Sequence, residues 1–335
     1  MYIFNRSYKF SLTKLTFILF VANVAAQLPN DELIDEVANN FNNDISVLSM
    51  GFAQPLINAS IYGQNAMWAN TTETLKPFEF KFGAVLTTVN VPAKDEFFTP
   101  PQLNYFEATN SLSTILGSSS ETTLKTNSTL EAYGLEATLT FPSGVKNDLP
   151  NEMFILPSFS AALGLFKSTE VQINFFPEYD IEGLTYSYKG LAVKHGIDQY
   201  FKKDQESNWN LAISANYSTS EMMYLNNDSD VAVNFDITSI AANTIFSYDT
   251  KFLSLFGGLG YFSSDYSFDM DNAVAFTGTF SELLNPLIQD VSFDDTLAET
   301  FAFVGFSLDI LFLEIITKYN IQAYNSLQIG ANIDF

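Results

Sequence analysis

The chain has no cysteine, one histidine and two tryptophans among 335 residues, and only 15 lysines and arginines stand against 38 aspartates and glutamates. Each scarcity excludes something. Without cysteine there is neither a disulfide framework nor a thiolate metal site, so an exported chain must rely on a large core or a closed sheet. A single histidine, His195, leaves little room for nucleophilic catalysis. Ser187 lies eight residues away on the same expected strand, roughly 26 Å along it. No G-x-S-x-G elbow, P-loop, C-x-x-C or H-E-x-x-H motif occurs, so no enzyme, metal or cofactor is expected. His195 reads instead as a polar residue where a strand meets a turn, with Lys194 beside it. The net charge of −23 excludes a basic face for nucleic acid or for anionic lipid headgroups.

Long apolar runs are scarce too. After residue 26 the nearest is FAFVGFSLDILFLEII (301–316), interrupted by Asp309 and Glu314. No transmembrane helix is expected from it. Yet 47% of the residues are hydrophobic and 33 are phenylalanine. They are spread at period two.

The first 26 residues stand apart. Arg6, Lys9 and Lys14 precede the short apolar run Leu15–Ala26, which ends in Val24-Ala25-Ala26. This pattern predicts a cleaved secretory signal peptide over 1–26. Its removal takes three of the 15 positive charges and no acid, leaving 12 against 38.

The alternation comes next. In FEFKFGAVL (78–86), Phe78, Phe80, Phe82, Ala84 and Leu86 share one face and Glu79, Lys81 and Gly83 the other. EVQINF (170–175), NLAISANY (210–217) and DVAVNFDI (230–237) repeat the pattern. Each predicts a strand with one apolar and one polar face. Further strands are expected near 130–142, 152–165, 182–195, 240–249, 251–268, 298–310, 311–320 and 324–335, about twelve in all. In LTYSYKGLAVKH (184–195) the apolar positions change phase at Gly190, which predicts a bulge there. LPNDELIDEVANNF (28–41) spaces Leu33 or Ile34, Val37 and Phe41 as on a helix, with Asp31 as a cap. Residues 27–75 therefore read as a short helical segment ahead of the sheet, and 76–335 as one β domain.

A dozen amphipathic strands fit two architectures. A secreted β-sandwich turns its apolar faces inward; an outer-membrane barrel turns them to lipid around a polar lumen. The export signal favours the barrel. So do aromatics near strand ends, Tyr133, Tyr179, Tyr200, Phe201, Tyr248 and Tyr319 among them. The last residues, NSLQIGANIDF, alternate Leu327, Ile329, Ala331, Ile333 and Phe335 with polar or small residues. This ending resembles the C-terminal signal that outer-membrane assembly machinery reads in Gram-negative barrels. The expected fold is thus all-β: a transmembrane antiparallel barrel of about 12 strands, 10 to 14 in range, with a short N-terminal plug-like helical segment.

The layout of helical segment and barrel resembles the family of long-chain fatty-acid and hydrophobic-compound transporters of outer membranes, in which the N-terminal segment plugs the lumen. YFEATNSLSTILGSSSE (105–121) and YKGLAVKHGIDQYF (188–201) resemble uncharacterised barrel proteins of Bacteroidota-type bacteria. The resemblance implies an outer-membrane location, lipid and assembly-machinery partners, and passive passage or binding of small, apolar molecules. A closed structural or assembly-partner barrel is the alternative reading. Parity with apolar neighbours assigns Glu79, Lys81, Glu170, Gln172 and Asn174 to the lumen. The acidic clusters NNDSD (226–230) and SSDYSFDMD (263–271) read as solvated loops, since neither matches an EF-hand.

Overall fold

Eleven of the twelve expected segments form ten long strands, and these close on themselves. The computed structural model describes residues 19–22, 31–68, 71–107, 111–117, 122–126, 136–141, 144, 146–181, 184–201, 208–226, 231–271, 276–277 and 290–335. The barrel strands are β1 (Phe80–Val89), β2 (Phe154–Leu165), β3 (Thr169–Ile181), β4 (Leu184–Gly196), β5 (Trp209–Asn226), β6 (Val231–Asp249), β7 (Leu253–Asp271), β8 (Val291–Ile310), β9 (Leu313–Ile321) and β10 (Ser326–Asp334). Each pairs antiparallel with the next, and β10 pairs with β1. Closure removes every sheet edge, so the sandwich alternative fails.

The count is ten rather than about twelve, for two reasons. Segments 230–237 and 240–249 are halves of one strand, β6. Segment 130–142 contributes only Glu136–Phe141, which lies outside the barrel and pairs with Leu19–Ala22 and Thr122–Thr126.

The two ends of the barrel differ. At one, tight turns join β2 to β3, β6 to β7 and β8 to β9, and β1 begins where β10 ends. Lys167 and Ser168, with φ of 58° and 46°, turn the chain in the left-handed region within the three-residue link 166–168 between β2 and β3. The other end carries the long connections between β1 and β2 and between β7 and β8. These are the short-turn end and the long-loop end.

Polarity reverses along the tall strands. On β8, Ala302, Val304, Phe306, Leu308 and Ile310 point outward near the short-turn end, but Ser292, Asp294, Thr296, Ala298 and Thr300 point outward beyond them. On β7 the outward series changes from Leu255, Leu259 and Tyr261 to Ser263, Asp265 and Ser267. On β6 it changes from Phe246 and Ile240 to Thr238 and Asp236. The changes fall at one level, because Tyr217 pairs with Ile240 and Tyr261 with Thr300. The inner face is mixed near the short turns, where Ser214, Ser218, Ser239 and Ser264 stand among buried Ile245, Phe256, Phe262 and Phe303, and apolar further up, where Phe235, Ile237, Tyr266, Phe268 and Val291 are buried in it.

The wall therefore has an apolar belt around an interior of mixed polarity, then a polar collar around an apolar core. A strand tilted as barrels require makes the belt roughly 20 Å tall. Val233, Phe235 and Ile237 belong to the collar, so their apolar parity marks the inside, not the outside. SSDYSFDMD is likewise part of strand β7 rather than a loop. Of NNDSD, only Asn226 lies within the described residues.

The same reversal explains Gly190. Tyr186 and Tyr188 face the interior, while Leu191 and Val193 are exposed on the outer wall. The phase change is this exchange of faces, and β4 carries no bulge at Gly190, which pairs in register with Asn174 and Ser218. The irregularity sits opposite, where Tyr186 pairs with Tyr179 and Tyr188 with Phe176, leaving the extra residue on β3. Gly190 is needed for space instead: a Cβ there would lie 2.6 Å from the Trp68 ring. Gly190→Val is expected to destabilise the fold by about 1–3 kcal/mol through overpacking, read from denaturant unfolding; no change would show that Trp68 does not press on this wall.

Helix α1 (Asp31–Ala66) runs 36 residues, about 54 Å, where only a short helical region was expected. Its burial is what hid it. From Ile57 to Trp68 nearly every residue is buried, apolar or not, so no amphipathic stripe marks this part. Ala59, Ser60, Gly63 and Ala66 keep it slim. At Gly63 an added Cβ would meet Leu156 at 2.5 Å and Val89 at 2.9 Å, side chains of the wall.

Candidate functional site: a helix inside the lumen

α1 fills the barrel, and its polar residues find partners on the wall. Gln64 donates to Ser218 and Ser239, both at 3.0 Å, and accepts from Ser220 at 2.6 Å. Asn65 donates to Ser264 at 3.1 Å. Tyr62 donates to Glu299, stacks on Tyr324 at 5.2 Å and meets the edge of Phe262. Serines on three strands thus do two jobs: they leave room for a helix and satisfy its amides, as a buried polar contact requires.

Beyond α1 the chain is held chiefly by its backbone. Lys318, fully buried, donates to the Trp68 carbonyl, with its ammonium 5.4 Å from the Phe303 ring. Lys194 donates to the Glu73 carbonyl at 2.6 Å and pairs with Glu170 at 3.2 Å. Glu170 also accepts the Leu75 N–H at 3.2 Å. Thr72 bonds Ser247. Nearby, Lys81 pairs with Glu314 at 2.7 Å and with Asp334 at 3.6 Å, and Asn332 donates to Glu314 at 3.0 Å. These groups line a cavity of about 20 Å³, no larger than a single water needs.

The residues assigned to the lumen from sequence fall as follows. Lys81, Glu170, Gln172 and Asn174 stand on the inner face near the short-turn end, and Gln172 donates to Asn174 at 2.7 Å. Glu79 does not reach the lumen; it precedes β1 at the rim and pairs with exposed Lys76 at 3.4 Å. His195 sits one residue before the end of β4, with Nδ1 2.9 Å from the Thr169 hydroxyl and Nε2 3.1 Å from the Tyr200 hydroxyl. Leu327, Ile329, Ala331 and Ile333 face outward on β10, beside exposed Phe335. Phe335 closes the seam by exchanging backbone hydrogen bonds with Phe80, at 2.9 and 3.2 Å.

Sequence reasoning missed Gln64, Asn65, Lys194, Glu314 and Lys318. The available signal was Gln64-Asn65 itself, a polar pair inside a stretch of small and apolar residues, together with inward-parity serines on β5, β6 and β7.

Among solved structures, the chain is similar to Ail, the attachment invasion locus protein of Yersinia pestis, with a TM-score of 0.28 and 10% identity over 77% of this chain and 99% of that one. It is similar to Ail in complex with the heparin analogue sucrose octasulfate, with a TM-score of 0.26 and 14% identity over 50% of this chain and 93% of that one. It is also similar to the outer membrane channel DcaP of Acinetobacter baumannii, with a TM-score of 0.16 and 6% identity over 78% and 100% of the two chains. No curated protein matches the chain. The profile of a family of unknown function, DUF6588, matches residues 6–335, and the chain belongs to that family.

Proposed function

We propose that this is an outer-membrane barrel whose lumen is closed by its own helix, and that it serves as an anchor for a folded cap on the cell surface. The belt supports the membrane reading. Phe306, Leu259, Ile240, Ile329 and Phe82 form an outward apolar surface that water would not tolerate in a monomer and a bilayer would cover. Trp209, Tyr248 and Phe246 cluster at its short-turn margin, with ring centroids 4.7 and 4.9 Å apart, where an aromatic girdle belongs. The polar collar then stands above the bilayer. Inside it, the first half of α1 and the connection after β1 build an apolar core with Leu103, Phe106, Leu112 and Leu116.

One observation carries the closed-lumen reading: nearly every residue from Ile57 to Trp68 is buried within the wall, with the Gln64 amide and the Asn65 amide N–H bonded to wall serines. Passage of small apolar molecules, which the transporter-like layout implied, requires this helix to move and those amides to lose their partners. Each buried group left unpaired costs about 1–3 kcal/mol. In planar bilayers the intact chain is expected to give no steady conductance. Regular single-channel steps from purified, fully folded protein would overturn the anchor reading in favour of a channel.

A further inference from the structure

The direction of α1 has a topological consequence. The helix starts at the long-loop end and finishes at the short-turn end. At its far end, Asp44 is fully buried and accepts from the backbone N–H groups of Asn104 and Tyr105, at 2.8 and 2.7 Å, in the connection after β1. About two turns nearer the lumen, Gly51 packs against Phe98 of that same connection. Gln54 then reaches the Tyr266 hydroxyl in the collar at 3.2 Å, and Gln64 reaches mid-wall. Past Trp68 the chain meets Asp249 and Glu170 at the short turns before entering β1. Contacts are thus spaced along the whole helix, in one sense.

We infer that the chain crosses the membrane once through its own barrel, so that the start of α1 stands on the same outer face as the long loops, opposite the start of β1 and the end of β10. This rests on the outer-membrane reading above. It differs from a plug pushed in from the side where the barrel strands begin, because there both ends of the plug would remain on that side. The charge pattern agrees. Asp31, Glu32, Asp35 and Glu36 open the helix, where carboxylates favour the dipole; Asp35 and Glu36 are exposed beyond the collar.

The absence of cysteine gives a clean test. Single-cysteine variants Glu36→Cys at the start of α1, Asp294→Cys on the outer face of the collar and Lys251→Cys in the β6–β7 turn all fall at exposed positions. Each is checked for heat-modifiable gel mobility, then treated on intact cells with a membrane-impermeant maleimide, and again after lysis. Glu36→Cys and Asp294→Cys are expected to label fully on intact cells, and Lys251→Cys only after lysis. Protection of Glu36→Cys while Asp294→Cys labels would overturn the threading and leave the membrane barrel standing. Labelling of Lys251→Cys on intact cells, with Asp294→Cys protected, would reverse the orientation and overturn the inference too. If the protein is instead recovered outside the membrane fraction, the outer-membrane reading falls and the inference with it.

Discussion

Truncating Phe268 to alanine is expected to cost about 3–5 kcal/mol of unfolding free energy, the range for removing a buried aromatic. Its ring stacks on Phe293 at 4.6 Å and meets Phe235 edge-on at 5.0 Å. It stands on the inner face of the collar, 3% exposed. A water-filled porin interior would tolerate the change. Here α1 and the collar strands build a core of the kind found in soluble domains, and the cavity left by a benzyl group cannot be refilled. The neighbouring change Ser267→Ala, on the outward side of β7, is expected to stay within about 0.5 kcal/mol. Reversible urea unfolding of both variants, inserted in lipid vesicles, checks this. A loss below about 1 kcal/mol for Phe268→Ala would show that the collar is hydrated rather than packed.

Placing an arginine at Phe306 tests the other half of the wall. Phe306 is the middle of the five apolar residues that β8 turns outward. At the midplane of a bilayer an arginine costs about 2–4 kcal/mol. Ser292 lies on the same face of the same strand, but above the level at which Tyr261 pairs with Thr300. Ser292→Arg is expected to cost nothing measurable, because its guanidinium stays in water. Two chemically identical insertions on one strand thus separate by their height alone. Equal small effects would mean that lipid does not cover Phe306, and the belt would need another partner.

Together the two changes define a protein with two interiors. Near the short turns, the mixed interior holds Gln64, Asn65 and the lysine–carboxylate pairs of Lys81 and Lys194 beside Phe262 and Phe303. Pairing matters there, since a buried charge without a partner is costly. Near the long loops, apolar side chains from β6, β7 and β8 close on the first half of α1. The helix runs through both, which is why its sequence is mixed: Phe41, Ile45, Leu48 and Phe52 above, Gln64 and Asn65 below.

Much of this was legible in the sequence. Period-two alternation determined that the chain is a sheet of amphipathic strands, because side chains on a strand must take opposite faces in turn. It placed Lys81, Glu170, Gln172 and Asn174 on one face, opposite Phe82, Ile173 and Phe175. The alternating ending placed the last strand, β10, whose neighbour across the seam is β1. Parity could not say which solvent each face meets. Phe235 and Phe246 lie on one strand and look equally apolar, yet the first is buried in the collar and the second is 47% exposed on the belt. Only the closed barrel decided that, with a helix inside it and loops stacked on one end. That reversal also split β6 into two expected strands and set the reading of Gly190, since an exchange of faces and a break in a strand leave the same mark on the sequence. The direction of α1 belongs wholly to the tertiary structure: helix propensity has no preference between the two ends of a lumen, and the contacts of Asp44 at one end and of Glu170 at the other make the choice.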